Sequence, residues 1–89
     1  MNAPSSPPNA RPSILVVEDD ANLRIGLRDN LQDEGYEVAV ASHTQEAEPL
    51  LRARTYDLLI LDVMLPGEDG YSFCRRLRAS GVQSMVLML

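Results

Sequence analysis

Two stretches of this 89-residue chain, "SILVV" at 13–17 and "DLLIL" at 57–61, carry almost unbroken apolar runs. A strand with one wet face alternates apolar and polar residues, so a run without alternation fits a strand covered on both faces. Parallel sheets are the ones regularly covered on both faces, and parallel neighbours need long crossovers between them. The intervening segments have the pattern of such crossovers. Leu23, Leu27 and Leu31 recur at every fourth position over 21–34, among Arg24, Arg28 and Asp29, which is an amphipathic helix with its leucine stripe on the core. Asp20 is placed to cap that helix and Gly35 to follow its end. "YEVAVA" (36–41) alternates and reads as a less buried edge strand, and "MVLML" (85–89) opens a fourth apolar strand.

Two further helices complete the alternation. One spans about 44–54 and contains Pro49 in "TQEAEPLLRAR". If Thr44 opens this helix, Pro49 removes a hydrogen bond at a cost on the order of 3 kcal/mol, whereas a later start puts proline in the tolerant first turn. A kinked or shortened second helix is expected. The other covers 71–80, with Phe73, Cys74 and Leu77 on one face and Arg75, Arg76 and Arg78 opposite. Strand, helix, strand, helix, strand, helix, strand defines an α/β fold with right-handed crossovers.

The remaining composition narrows the function. Residues 1–12, "MNAPSSPPNARP", hold four of the six prolines and few apolar groups, which is the composition of a disordered arm. A net charge of −5 without a basic run excludes direct grip on nucleic acid by this segment. No apolar stretch is long enough to span a membrane. A single Cys cannot form an internal disulfide and is expected in the core of a cytoplasmic protein. His43 is a loop or cap residue at the second helix, and Glu46 and Glu48 are expected to be solvated.

The chemistry sits at strand ends. The first strand runs into Glu18-Asp19-Asp20, and the third into Asp62. Ligands of parallel sheets bind beyond the carboxyl ends of the strands, where the strand order reverses. If the first and third strands are neighbours, these carboxylates converge and repel. A hard divalent cation relieves that repulsion, and an all-oxygen donor set suits Mg2+. An aspartate beside such a cation can accept a phosphoryl group. A carboxylate-using phosphatase is disfavoured, because Met64 stands two residues after Asp62 where a second acid is needed. No Gly-rich loop follows the first strand, which disfavours a dinucleotide site.

"ILVVEDDANLRIGLRDNLQDEGYEV" and "YDLLILDVMLPGEDGYSFCRRLR" resemble the receiver domain of bacterial two-component response regulators, over residues 14–89 and closest in style to receivers fused to winged-helix DNA-binding domains. The resemblance implies a flavodoxin-like doubly wound sheet of order 2-1-3-4-5, here stopping at the fourth strand, with the fifth strand and last two helices absent. It implies that Asp62 is the phosphoacceptor and that Asp19 and Asp62 contact Mg2+. Glu18 acts largely through water, and the Met64 backbone carbonyl is a further ligand. Pro66 and Gly70 shape the turn, and Asp20 is a cap rather than a ligand.

The implied phosphodonor is a histidine kinase. The implied role is phosphorelay signalling that switches an output, transcription in the intact parent, through a fused or separate domain. Such a protein is a self-phosphorylating switch rather than a turnover enzyme. The family's Thr or Ser after the fourth strand and Lys after the fifth have no counterpart here, and all eight basic residues are Arg. A partial receiver over 13–89 is therefore expected to expose its first helix and fourth strand and to self-associate. The rival expectation is a phosphorylation-incompetent interaction module.

Overall fold

The computed structural model describes residues 11–89, so most of the expected N-terminal arm lies outside the described residues. The chain order is β1 (Ser13–Val17), α1 (Ala21–Asp33), β2 (Glu37–Ala41), α2 (Thr44–Ala53), β3 (Leu58–Leu61), α3 (Gly70–Ala79) and β4 (Met85–Met88). The strands form one four-stranded sheet in the order β2-β1-β3-β4, with every pair parallel. From β1 the chain steps outward to β2, then returns past β1 to β3. The order therefore reverses between β1 and β3, the place where open parallel sheets leave a crevice.

The two unbroken apolar runs occupy the centre. All five residues of β1 are buried, as are Leu59, Ile60 and Leu61 of β3. Successive side chains point to opposite faces. Leu15, Val17, Leu59 and Leu61 therefore pack with Ala47 of α2 and with Phe73 and Leu77 of α3. Ile14, Val16 and Ile60 pack with Leu27 and Leu31 of α1. The sheet is thus doubly wound, with α1 on one face and α2 and α3 on the other. β2 is the less buried edge strand expected from its alternation, and it begins at Glu37 rather than Tyr36.

The ends of α1 follow the sequence signals. The Leu23 amide donates to Asp20 Oδ1 at 3.0 Å, and Gly35 beyond the helix has φ 97°. The leucine stripe is a correction. Leu27 and Leu31 pack on the sheet, but Leu23 is 47% exposed. A step of four residues advances a helix by more than one turn, so an i, i+4, i+8 row drifts around the cylinder. Only part of the row faces the strands. On the same face, Met85 pairs in register with Leu58 and Leu87 with Ile60, and both β4 side chains stand well out into solvent.

Helix α2 begins at Thr44 and continues through Pro49, so the later start is not taken. Thr44 and Ala47 are buried, and Leu50 and Leu51 pack against the core. This apolar contact, together with a cap described below, holds the first turn despite the proline. Pro49→Ala supplies the missing amide to the Gln45 carbonyl. It is expected to stabilise the chain by about 2 kcal/mol, after allowing for the greater freedom of the unfolded chain. Urea unfolding checks this, and a variant no more stable than the parent refutes it.

Candidate functional site: an acidic rim at the switch point

The β ladder continues one residue past the strands. The Glu18 amide donates to the Ala41 carbonyl at 3.0 Å, and the Asp62 amide to the Val17 carbonyl at 3.0 Å. Glu18 and Asp62 are therefore fixed side by side at the carboxyl rim. One side-chain oxygen each from Glu18, Asp19 and Asp62 lies within 4.8 Å of the other two. Among the described residues this is the group of acidic, His or Cys side chains spaced to hold a metal. Glu18 is almost fully buried, Asp62 half-buried and Asp19 exposed, so the cluster opens to solvent on one side.

Local contacts orient these groups. The Asp20 amide donates to Glu18 Oε2 at 3.0 Å. Arg24 reaches back from α1 and donates from Nη1 to the carbonyls of Glu18 (2.9 Å) and Asp19 (3.3 Å). The Met64 amide donates to Asp62 Oδ1 at 3.0 Å, which sets the rotation of that carboxylate. Burial pushes the Glu18 carboxyl up from its ordinary value. The Asp20 amide opposes this, while Asp62 and Asp19 push it further. The cluster is thus frustrated when nothing is bound. Its all-oxygen donors and their separation fit one hard cation that takes some oxygens directly and others through water.

The turn after Asp62 is shaped by two glycines and a buried leucine. Leu65 anchors in the core, and Gly67 follows Pro66 with φ 81°, which glycine adopts without strain. Gly70 opens α3, and its amide donates to the Val63 carbonyl at 2.8 Å. A Cβ at Gly70 would run into the Asp62 carbonyl oxygen and lie 3.1 Å from Val63 Cα. Glycine is required there so that the loop can fold back on the strand end.

The structure brings Glu18, Asp19 and Asp62 together. It leaves Asp20 as a cap and sends the Met64 side chain into solvent at 80% exposure. Cys74 is half-buried against the core, and His43 takes the N-cap position of α2 without a side-chain cap bond. Glu46 and Glu48 stay in contact with solvent, as expected, but each also has a protein partner. Glu46 Oε1 accepts from the Ser42 amide and hydroxyl, each at 2.7 Å, and Glu48 Oε2 accepts from Arg76 Nη1 at 2.7 Å. Both glutamates have fixed partners.

Sequence reasoning also missed Asp69. Its Oδ1 caps α3 by accepting from the Ser72 amide at 2.9 Å, and the Ser72 amide and hydroxyl hold its carboxyl below the usual range. An aspartate immediately before a helical segment was the available signal. Arg24 and Arg76 had no sequence signal, because their role depends on what the fold brings within reach.

A family profile described as "Response regulator receiver domain" matches residues 14–89. The chain is 42% identical over 77 residues to the transcriptional regulatory protein AfsQ1 of Streptomyces coelicolor, covering 86% of this chain and 34% of that protein. It is 46% identical over 76 residues to the virulence transcriptional regulatory protein PhoP of Salmonella typhimurium, covering 85% and 34%. The chain spans about a third of the length of these curated relatives.

Among solved structures, the Vibrio cholerae chemotaxis protein CheY4 superposes with a TM-score of 0.84 at 31% identity, over 89% of this chain and 68% of that one. The Thermotoga maritima response regulator TrrA, in complex with Mg(2+)-BeF, superposes with a TM-score of 0.76 at 35% identity, over 86% and 69%. The chain belongs to the receiver domains of two-component response regulators, a family of signalling switches with an acidic pocket at this rim. Its four strands follow the first four places of the flavodoxin-like order.

The frustration of the cluster predicts a stability effect. The native chain holds the Glu18 proton more tightly than the unfolded chain does. In the metal-free chain, stability from this group is therefore full below about pH 4.3 and is lost as pH rises through its raised native value. Glu18→Gln keeps an acceptor for the Asp20 amide and removes the charge. It is expected to raise Tm at pH 7 and to raise it much less at pH 4. Thermal melts of both chains at the two pH values check this. An equal difference at both would show that the charge is not the cause.

Proposed function

We propose that this chain receives a phosphoryl group on Asp62 from a histidine kinase, with Mg2+, and switches an output in phosphorelay signalling. The convergence of Glu18, Asp19 and Asp62 at the switch point carries this reading. In it, residues 13–89 are the receiver portion and residues 1–12 an arm. Asp19 and Asp62 hold the ion directly, Glu18 holds it largely through water, and the Met64 carbonyl supplies a further oxygen. Bound there, the ion neutralises charge on the transferring phosphoryl group. An oxygen of Asp62 forms the new bond to phosphorus. The bond from phosphorus to the donor's imidazole nitrogen breaks, and its electron pair leaves with the nitrogen. The Met64 amide on Asp62 Oδ1 holds the carboxylate in one rotation during this step. Pro66 and Gly70 keep the loop close to the strand end.

Support comes from outside the chain as well. TrrA, similar in fold and sequence, is described in complex with Mg(2+)-BeF. AfsQ1 and PhoP are transcriptional regulators by name, so transcription is the proposed output, through a fused or separate domain. A cytoplasmic site of action is proposed from the family alone; no helix among the described residues is long and apolar enough to cross a membrane. Acetyl phosphate with Mg2+ is expected to add one phosphoryl group to the chain by intact mass, and Asp62→Asn or EDTA to abolish the addition. No addition to the 89-residue chain overturns the reading and leaves a phosphorylation-incompetent interaction module, whereas addition that survives Asp62→Asn overturns Asp62 as the acceptor.

Self-association belongs to the same proposal. Met85 and Leu87 are 73% and 50% exposed, side by side on β4, which pairs with β3 alone among the described strands. A second copy of the chain can pair along this edge and cover the apolar row. Light scattering after size exclusion should show a dimer that dissociates on dilution and is abolished by Leu87→Glu. A monomer at every concentration rejects it.

A further inference from the structure

The loop from Val63 to Asp69 is held at its far end by a guanidinium that no part of the phosphoryl-transfer reading uses. Arg76, on the second turn of α3, donates from Nε to Glu68 Oε2 at 2.9 Å and from Nη2 to Glu68 Oε1 at 2.7 Å. Its Nη1 donates to Glu48 Oε2 of α2 at 2.7 Å. The same guanidinium lies over the Phe73 ring, 5.2 Å from its centroid, and Phe73 is fully buried. One planar fork therefore ties together the loop, α2 and α3. Single exposed ion pairs contribute little, but a two-pronged carboxylate contact within a network, on a fixed aromatic surface, restricts geometry far more than a point contact does. Arg76 holds Glu68 ionised, and Glu68 in turn helps keep the guanidinium charged.

The consequence lies at the other end of the loop. Seven residues join Asp62 to Gly70. Their geometry is fixed by the Gly70 amide on the Val63 carbonyl, by the Met64 amide on Asp62 Oδ1, and by Glu68 on Arg76. We propose that Arg76 is a positioning residue: by locking Glu68 and Glu48 it fixes the Met64 carbonyl and the Asp62 carboxylate for the cation. This rests on the metal reading above. The electrostatic alternative has the opposite sign, because removing a positive charge near a dication site strengthens binding.

The experiment uses the 15N-labelled chain and Mg2+ alone. Arg76→Met keeps an apolar stem over Phe73 and removes the fork. Mg2+ affinity, followed at the Asp62, Met64 and Gly70 amides, is expected to weaken about three- to tenfold, at or below the low end of what partners behind metal ligands contribute. In the metal-free variant, exchange of the Gly70 amide should accelerate while the Leu15 and Leu59 amides stay protected. Arg76→Lys and Glu48→Leu should shift both readouts in the same direction by less. Unchanged Gly70 exchange in Arg76→Met overturns the proposal, and so does faster exchange with unchanged or tighter Mg2+ binding. If the parent chain shows no Mg2+-dependent shifts, the metal reading fails on its own, and the Gly70 exchange alone still decides whether Arg76 orders the loop.

Discussion

The parallel pairing of β1 with both β2 and β3 is the constraint on which the site depends. Val17 lies opposite Ala41 on one side and Leu61 on the other. Once that register is set, Glu18 and Asp62 have nowhere to go but the same rim. A strand apolar on both faces gives up the usual guard on register, since a slip of one residue still places apolar groups on each face. The charge at the end of the run replaces that guard. Sliding β3 back by one residue would draw Asp62 between apolar neighbours, and an unpaired buried carboxylate is among the most costly arrangements a core can hold. The carboxylates that make the site chemically interesting thus also fix where the strands stop.

Sequence reasoning reached the sheet, the crossovers and the acidic rim because each depends on local pattern. Unbroken apolar runs marked β1 and β3, alternation marked β2, and Asp20 and Gly35 marked the ends of α1. The pairing of β1 with β3 was only a condition in the residue pattern, and the strand order came from the family resemblance. The placement of Leu23 did not follow, because a stripe read from spacing alone ignores the drift of a four-residue step around the helix.

The side-chain partners were out of reach for another reason. Glu48 and Arg76 are 28 residues apart, and nothing near either residue signals the other. Glu48 looked like an ordinary solvated charge. In the fold it faces a guanidinium already engaged with Glu68. Glu46 looked equally bland, yet it reaches back to the Ser42 amide and hydroxyl and closes the entry to α2. That contact accounts in part for a helix that starts at Thr44 with Pro49 still ahead of it: the first turn is held from outside, so it need not wait for the proline.

The two halves of the rim are anchored to different layers. The turn carrying Glu18 and Asp19 is tied to α1 through Arg24, on one face of the sheet. The loop after Asp62 is tied to α2 and α3 through Glu68 and Arg76, on the other. What joins the halves at the rim is the sheet backbone and three carboxylates that repel one another. Anything that draws those carboxylates together acts on both layers at once, whereas their repulsion loads both anchors in opposite directions. A cluster of mutually repelling carboxylates is therefore also a place where a small ligand can change the relation between the two faces, and the guanidiniums behind it bear on how much of that change each face transmits.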